Sequence, residues 1–378
     1  MRLRIALRRL NSGHLQIVVY GRAVHKSFTD DARRRCSAPW AAAMIWPVSK
    51  VELLRSMADD KPAPIRPIAH LNGEKPSAPD WFTAAVTTPS EEASVNVSGA
   101  DIRYSAWGEK GRPGLLFIHG GRAHRNWWRP FAPFFAKQYR VAAFDISGMG
   151  DSGWRDQYSL DLTTNELFAV IEAAGLEAAG RPLVVGHSFG GWITLAAVER
   201  GGERLGGAVI VDSPISKPDP DEGYTIVRKK TDEPIAVRPS RIYSTIEEPI
   251  SRFRFLPNQP CDQHYLVDFI ARQGLKQVTG ETGAGWTWKF DPGHGANFDI
   301  HFERDLFLAA RCPLAFIYGE QSFFVGGDGF KALKQQTDGR APIIEMPGVH
   351  HHLMMEEPIA FISTLQTLLK CWPVRVGV

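Results

Sequence analysis

Six consecutive residues, Gly186-His187-Ser188-Phe189-Gly190-Gly191, form a G-x-S-x-G pattern. It directly follows Pro182-Leu183-Val184-Val185 and directly precedes a stretch of helical character. Between a strand and a helix, this pattern marks a serine nucleophile. The turn is too tight for bulky side chains at its flanking positions. It lifts Ser188 Oγ clear of the strand end and aims a helix N-terminus at developing negative charge. The G-K-[ST] ending of a phosphate loop and the G-x-G-x-x-G spacing of a dinucleotide loop are both missing. The structural alternative is a serine that only caps the helix.

Acyl transfer to a serine also needs two preorganised N–H donors for the oxyanion and a base for the hydroxyl proton. One donor is expected from Phe189, just after the serine. The other is expected from Gly121 in His119-Gly120-Gly121-Arg122, which follows the apolar run at 115–118. The base is expected in Gly348-Val349-His350-His351-His352-Leu353, a run followed by Met354-Met355-Glu356-Glu357-Pro358. Three adjacent histidines also raise the question of a metal. Adjacent side chains diverge, and no second cluster of Cys, Asp or His is evident, so neither a metal nor a cofactor is expected.

These residues need a frame that brings loop ends together. Short apolar runs without alternation occur at 115–118, 141–144, 183–185, 208–211, 314–318 and 343–346. Runs of this length, bounded by Gly, Pro and charges, mark strands covered on both faces. Residues 95–97 and 102–107 around Ser98-Gly99 read as a hairpin. Helices are expected at 162–174, capped by Asp161 and stopped by Gly175, and at 192–199 and 358–369. The alternation predicts an α/β fold with a doubly wound, mostly parallel sheet. About 100 residues between 211 and 314 break the rhythm with many aromatics and no clear strand. A structureless loop of that length is improbable in a compact domain, so a helical cap is expected over the sheet edge.

The ordered set of H-G-G, the loop at Asp145–Ser152, G-H-S-F-G-G and the late histidine before E-E-P resembles the α/β-hydrolase fold superfamily. The resemblance covers residues 93–372 and implies a cap inserted after the sixth strand. It selects His351, seven residues before the proline, over His350 and His352, and makes the Asp145 loop a structural turn. The family's usual acid is the aspartate of G-x-x-D after the seventh strand. Here that segment reads Gly319-Glu320-Gln321-Ser322, with a serine at the acid position. Because some members place the acid after the sixth strand, Asp212 is the first candidate, with Glu320 and Asp328 behind it. The resemblance implies a serine-dependent hydrolase of a carboxylic ester or similar acyl compound. Its rivals are a C–C bond hydrolase of a vinylogous diketone and a non-catalytic binding protein on the same fold. An acidic substrate would need basic residues such as Arg122 or Arg252 facing the pocket.

Composition narrows the class. The 378 residues are 44% hydrophobic and 11% aromatic, enough for a buried core in a soluble globular protein. No apolar stretch is long enough to span a bilayer, so no membrane partner is expected. The net charge of +3 conceals an arm at residues 1–40 of about +7 and a mildly acidic remainder of about −4. That remainder shows no basic face with interleaved aromatics, which argues against nucleic acid. Cys36, Cys261, Cys312 and Cys371 are scattered and fit a reducing, cytoplasmic setting. Residues 1–56 read as a disordered or non-native extension preceding a start at Met57, with an organelle transit peptide as the alternative. Residues 57–92 read as a proline-rich extended lead-in, 93–212 and 311–378 as the core, and 213–310 as the cap. The partner expected is a small molecule with a hydrophobic group.

Overall fold

The computed structural model describes residues 4–9, 15–20, 63–213, 237–280, 283–295, 298–299, 310–325 and 328–372. The chain divides into two units, Met1–Ala63 and Pro64–Val378. In the first, where no regular structure was expected, strands β1 (Arg4–Arg9) and β2 (Leu15–Tyr20) pair antiparallel.

The second unit opens with helix α1 (Asp80–Thr87), within the segment read as extended. Its prolines flank the helix instead of interrupting it. Pro79 stands at the N-cap with ψ of 155°, and the eight helical residues contain none. The main sheet is built from β3 (Glu91–Val97), β4 (Ala100–Trp107), β5 (Gly114–Ile118), β6 (Arg140–Phe144), β8 (Leu183–His187), β9 (Gly207–Val211), β13 (Leu314–Gly319) and β14 (Ile343–Met346). Minor strands are β7 (Tyr158–Ser159), β10 (Leu275–Gly280), β11 (Gly283–Trp288) and β12 (Phe298–Asp299). The main order is β14-β13-β9-β8-β5-β6-β4-β3, with β3 and β4 antiparallel and the other six mutually parallel.

Both faces of this sheet are covered, which is why its strands carry no polar alternation. Leu115, Phe117, Val185 and Val209 face one core, shared with Trp128, Phe131 and helix α8 (Pro358–Lys370). Leu116, Ile118, Val184 and Ile210 face the other, beneath helices α2 (Leu160–Ala173) and α3 (Phe189–Gly201). The cap of α2 is Ser159, whose Oγ accepts from Leu162 N at 3.2 Å. Asp161, the expected cap, lies one residue inside the helix and pairs instead with Arg200 at 2.9 Å. Gly175, with φ of 70°, follows as expected.

Between β9 and β13 the described residues hold helices α4 (Glu247–Ser251) and α5 (His264–Gln273), together with a two-stranded ribbon of β10 and β11. The insertion is therefore not purely helical. Val278, Thr279, Trp286, Thr287 and Trp288 favour strand, and Gly280 and Gly283 are the last register partners of the ribbon. Helices α6 (Asp328–Thr337) and α7 (Leu353–Glu356) complete the unit. Among the described residues no helix is long and apolar enough to cross a membrane.

From β5 the chain crosses to β6 on one side, whereas from β8 it continues to β9 on the other. The crevice at the carboxyl ends of β5 and β8 is the topological switch point, where open α/β sheets take ligands. Ile118 and Gly186 are register partners there, so the H-G-G loop and the serine turn leave the sheet side by side.

Candidate active site

Ser188 sits between β8 and α3 with φ of 53° and ψ of −118°. A non-glycine residue held there carries roughly 1–3 kcal/mol of strain. The flanking glycines make the turn possible. A Cβ on Gly186 would overlap the Gly190 carbonyl and Thr194 Oγ1, and one on Gly190 would stand 2.5 Å from the His119 carbonyl oxygen. Because the obstacles at Gly190 are backbone atoms of His119 and Ile118, they cannot rotate away. Gly190→Ala is expected to lose roughly 2 kcal/mol or more of stability. Urea unfolding of the two proteins measures it; an unchanged midpoint would refute the close approach.

The imidazole expected as the base stands on the loop after β14. His351 Nε2 is 2.9 Å from Ser188 Oγ and its Nδ1 is 2.8 Å from Asp212 Oδ1. His351 and Asp212 are each only 1% exposed. Asp212 follows β9 directly and is fixed from β13. Gly319 N donates to Oδ2 at 2.8 Å and Ser322 Oγ donates to Oδ1 at 2.5 Å. Ser322 thus occupies the position of the family's usual acid and hydrogen-bonds the Asp212 carboxylate one strand away. Its own Oγ accepts from Phe324 N and Val325 N, both at 3.2 Å.

Among the described side chains the other candidates meet different partners. Glu320 is exposed and accepts from Gly348 N at 2.8 Å, bracing the loop instead of orienting an imidazole. Asp328 opens helix α6. His350 Nδ1 lies 3.1 Å from Glu356 Oε2, and His352 Nδ1 lies 2.8 Å from Gln259 Oε1 in the insertion. Asp145 is buried and accepts from Arg125 N at 2.5 Å and Asp151 N at 2.8 Å, as suits a turn. Gly121 approaches the serine turn: a Cβ there would lie 3.8 Å from Phe189 Cβ.

Two supporting histidines escaped the sequence reading. His187 Nε2 donates to the His351 carbonyl at 3.0 Å, tying the His351 loop to the serine turn. His119 Nε2 accepts from Ile146 N at 3.1 Å while its Nδ1 donates to the Gly120 carbonyl at 2.7 Å, which shapes the H-G-G loop. Their adjacency to the two motifs was the available signal. Ring nitrogens of His187, His351 and His352 also lie within 4.8 Å of one another, a grouping able to attract a metal ion. Both nitrogens of His351 already have partners, so a metal there would compete with the Ser188 contact.

Burial holds the pKa of His119, His124, His187, His294 and His352 below the ordinary imidazole value. His124 and His294 fall to about 4. Unfolded, each protonates near 6.5, so below that pH the unfolded chain takes up more protons than the folded one. The stability tied to these groups is full above about pH 6.5 and is lost as pH falls toward 4. For His124 alone the loss is about 3 kcal/mol. The melting temperature should therefore drop between pH 6.5 and 5, above the range where carboxylates protonate. A flat profile across that interval would contradict neutral burial.

A mostly parallel eight-stranded sheet with a serine turn, a Gly-rich loop and a late histidine at its switch point is an α/β-hydrolase architecture. A family model, the alpha/beta hydrolase family, matches residues 115–364, and the chain belongs to that family. The chain is 34% identical over 126 residues to the 2-hydroxy-6-oxo-6-(2'-aminophenyl)hexa-2,4-dienoic acid hydrolase of Metapseudomonas resinovorans, covering 32% of this chain and 42% of that protein. It is 30% identical over 102 residues to epoxide hydrolase 4 of Mus musculus, covering 26% and 28%. The chain thus spans less than half the length of these relatives. Among solved structures it is similar to the thioesterase domain from the curacin biosynthetic pathway, with a TM-score of 0.60, 20% identity, and coverage of 74% of this chain and 100% of that one. A carboxylesterase from Bacillus subtilis aligns with a TM-score of 0.56 and 18% identity, over 81% and 98%. At these identities the structures share the fold.

Proposed function

We propose that this chain is a serine-dependent hydrolase that cleaves a carboxylic ester or related acyl compound through an acyl-enzyme on Ser188. The observation that carries the reading is the unbroken chain of contacts from Ser188 Oγ through His351 to Asp212. Ser188 Oγ attacks the carbonyl carbon while His351 Nε2 takes its proton. Asp212 holds the Nδ1–H and offsets the charge of the imidazolium. The N–H groups of Gly121 and Phe189 take the oxyanion, and His351 returns the proton to the leaving group. Water, activated by the same imidazole, then releases the acid. A hydroxyl at the elbow suits attack on a carbonyl, whereas family members that open epoxides use an aspartate there.

A second reading, C–C bond hydrolysis of a vinylogous diketone with the same residues, is favoured by the 34% identity to a dienoic acid hydrolase. Fluorophosphonate labelling followed by intact mass tests the activated serine common to both. One adduct is expected on the wild type, none on Ser188→Ala, and strongly slowed labelling on His351→Ala. A folded wild type that takes up no label would refute the reading and favour a binding protein.

A further inference from the structure

Beneath the insertion lies a cavity of about 430 Å³ whose wall includes Arg66, Arg122, Arg252 and Arg254. Among the described residues no carboxylate lines it. Among the described residues these four guanidinium groups pair with no acid, whereas Arg125, Arg140 and Arg155 all do. Lys289, also on the wall, is the cation already partnered, 2.7 Å from Asp151. Gathering like charges around one small space is unfavourable unless an anion joins them. Arg forks match the paired oxygens of a carboxylate or phosphate.

Two further features describe the rest of the ligand. Trp127, Phe253, Trp288 and Phe290 supply flat apolar walls, and the Arg122 guanidinium lies 5.5 Å over the Phe290 ring. His124 also lines the cavity and is 5% exposed. Its Nε2 donates to the Ile270 carbonyl at 2.9 Å, so Nδ1 is left as an acceptor, and that buried atom has no partner among the described residues. A buried acceptor without a donor costs about 1–3 kcal/mol, which a ligand hydroxyl or N–H would remove.

One loop carries residues of both the cavity wall and the serine site. Gly121 faces the serine turn, and Arg122 and His124, the next residues along, face the cavity. Trp127 continues the connection, with its ring 5.4 Å from that of His352, the neighbour of His351. We infer that this cavity is an acid subsite. It takes an aromatic or conjugated acyl compound whose oxyanion group, remote from the scissile carbonyl, meets the arginines. A hydroxyl or N–H of the same molecule donates to His124. The inference rests on the hydrolase reading and names its substrate class: an acid, not the largely hydrophobic molecule expected from the aromatic composition of the cap.

The test compares 4-nitrophenyl half-esters of succinic, glutaric and adipic acid with neutral 4-nitrophenyl esters of matched length. Wild type should favour at least one half-ester by tenfold or more in kcat/KM. In Arg252→Gln/Arg254→Gln, and separately in Arg122→Gln, that ratio should fall to threefold or less, with melting temperature confirming the fold. Calorimetry with benzoate and phenyl phosphate gives a readout independent of turnover. Tighter binding of one assigns carboxylate or phosphate, and the affinity should weaken at least tenfold in the double variant. Neutral esters preferred throughout, with neither anion bound, would overturn the acid subsite while leaving the hydrolase intact. Loss of fluorophosphonate labelling with anion binding retained would instead overturn the hydrolase reading.

Discussion

Ser188→Ala should lower kcat on a 4-nitrophenyl ester by roughly 10⁶-fold, about 8 kcal/mol of transition-state stabilisation. The size follows from the role proposed for the hydroxyl. Without it no acyl-enzyme forms, and water must attack directly from a site shaped around a side-chain oxygen. His351→Ala should cost a similar amount, and the double variant little more, because the two act as one unit across the 2.9 Å contact. Rates from burst and steady-state kinetics, corrected for contaminating esterase by the labelling stoichiometry, measure this. A Ser188→Ala protein retaining more than about a hundredth of the wild-type rate would mean that the nucleophile is elsewhere.

Asp212→Asn should reduce kcat by about 10⁴-fold, with Glu320→Gln staying within about threefold of wild type. The hydrogen bonds around Asp212 give the reason. Gly319 N–H donates to one oxygen, so an asparagine there keeps its carbonyl toward Gly319 and turns its NH2 toward Ser322 and His351. Facing that donor, His351 Nδ1 must become the acceptor. The proton then moves to Nε2, which can no longer receive the one from Ser188. Ser322→Ala removes a hydrogen bond to a charged oxygen and should cost about tenfold. The double variant Asp212→Asn/Ser322→Asp should recover part of the loss, since residue 322 already reaches within 2.5 Å of the Asp212 carboxylate. Equal losses in Asp212→Asn and Glu320→Gln would rule out this assignment of the acid.

Much of the frame is legible in local sequence because local chemistry dictates it. Each of the six apolar runs lies within a parallel strand, since a strand covered on both faces cannot alternate. The serine turn is readable because Gly186 and Gly190 face backbone and side-chain atoms that exclude a Cβ. Other features were misread where a neighbour in space overruled the local pattern. Ser159 caps α2 in place of Asp161, which Arg200 holds one residue inside. The aromatic-rich insertion contains a ribbon because β10 and β11 satisfy each other's backbone groups, a pairing invisible until the turn is known.

The sequence by itself determined the family, the order of the strands along the chain, and the serine, glycines and histidines on which acyl chemistry would rest. Each is written in its own short local motif, at 119–122, 186–191 and 348–353. Only the tertiary structure decided which carboxylate meets His351, because the contact joins residues 139 apart across two sheet strands. It alone showed that Arg122 and Arg252 line one cavity with no carboxylate among its described lining residues. Spacing along the chain sets what a residue can do; which groups it faces depends on packing between distant segments, and that sets its charge environment and its partners.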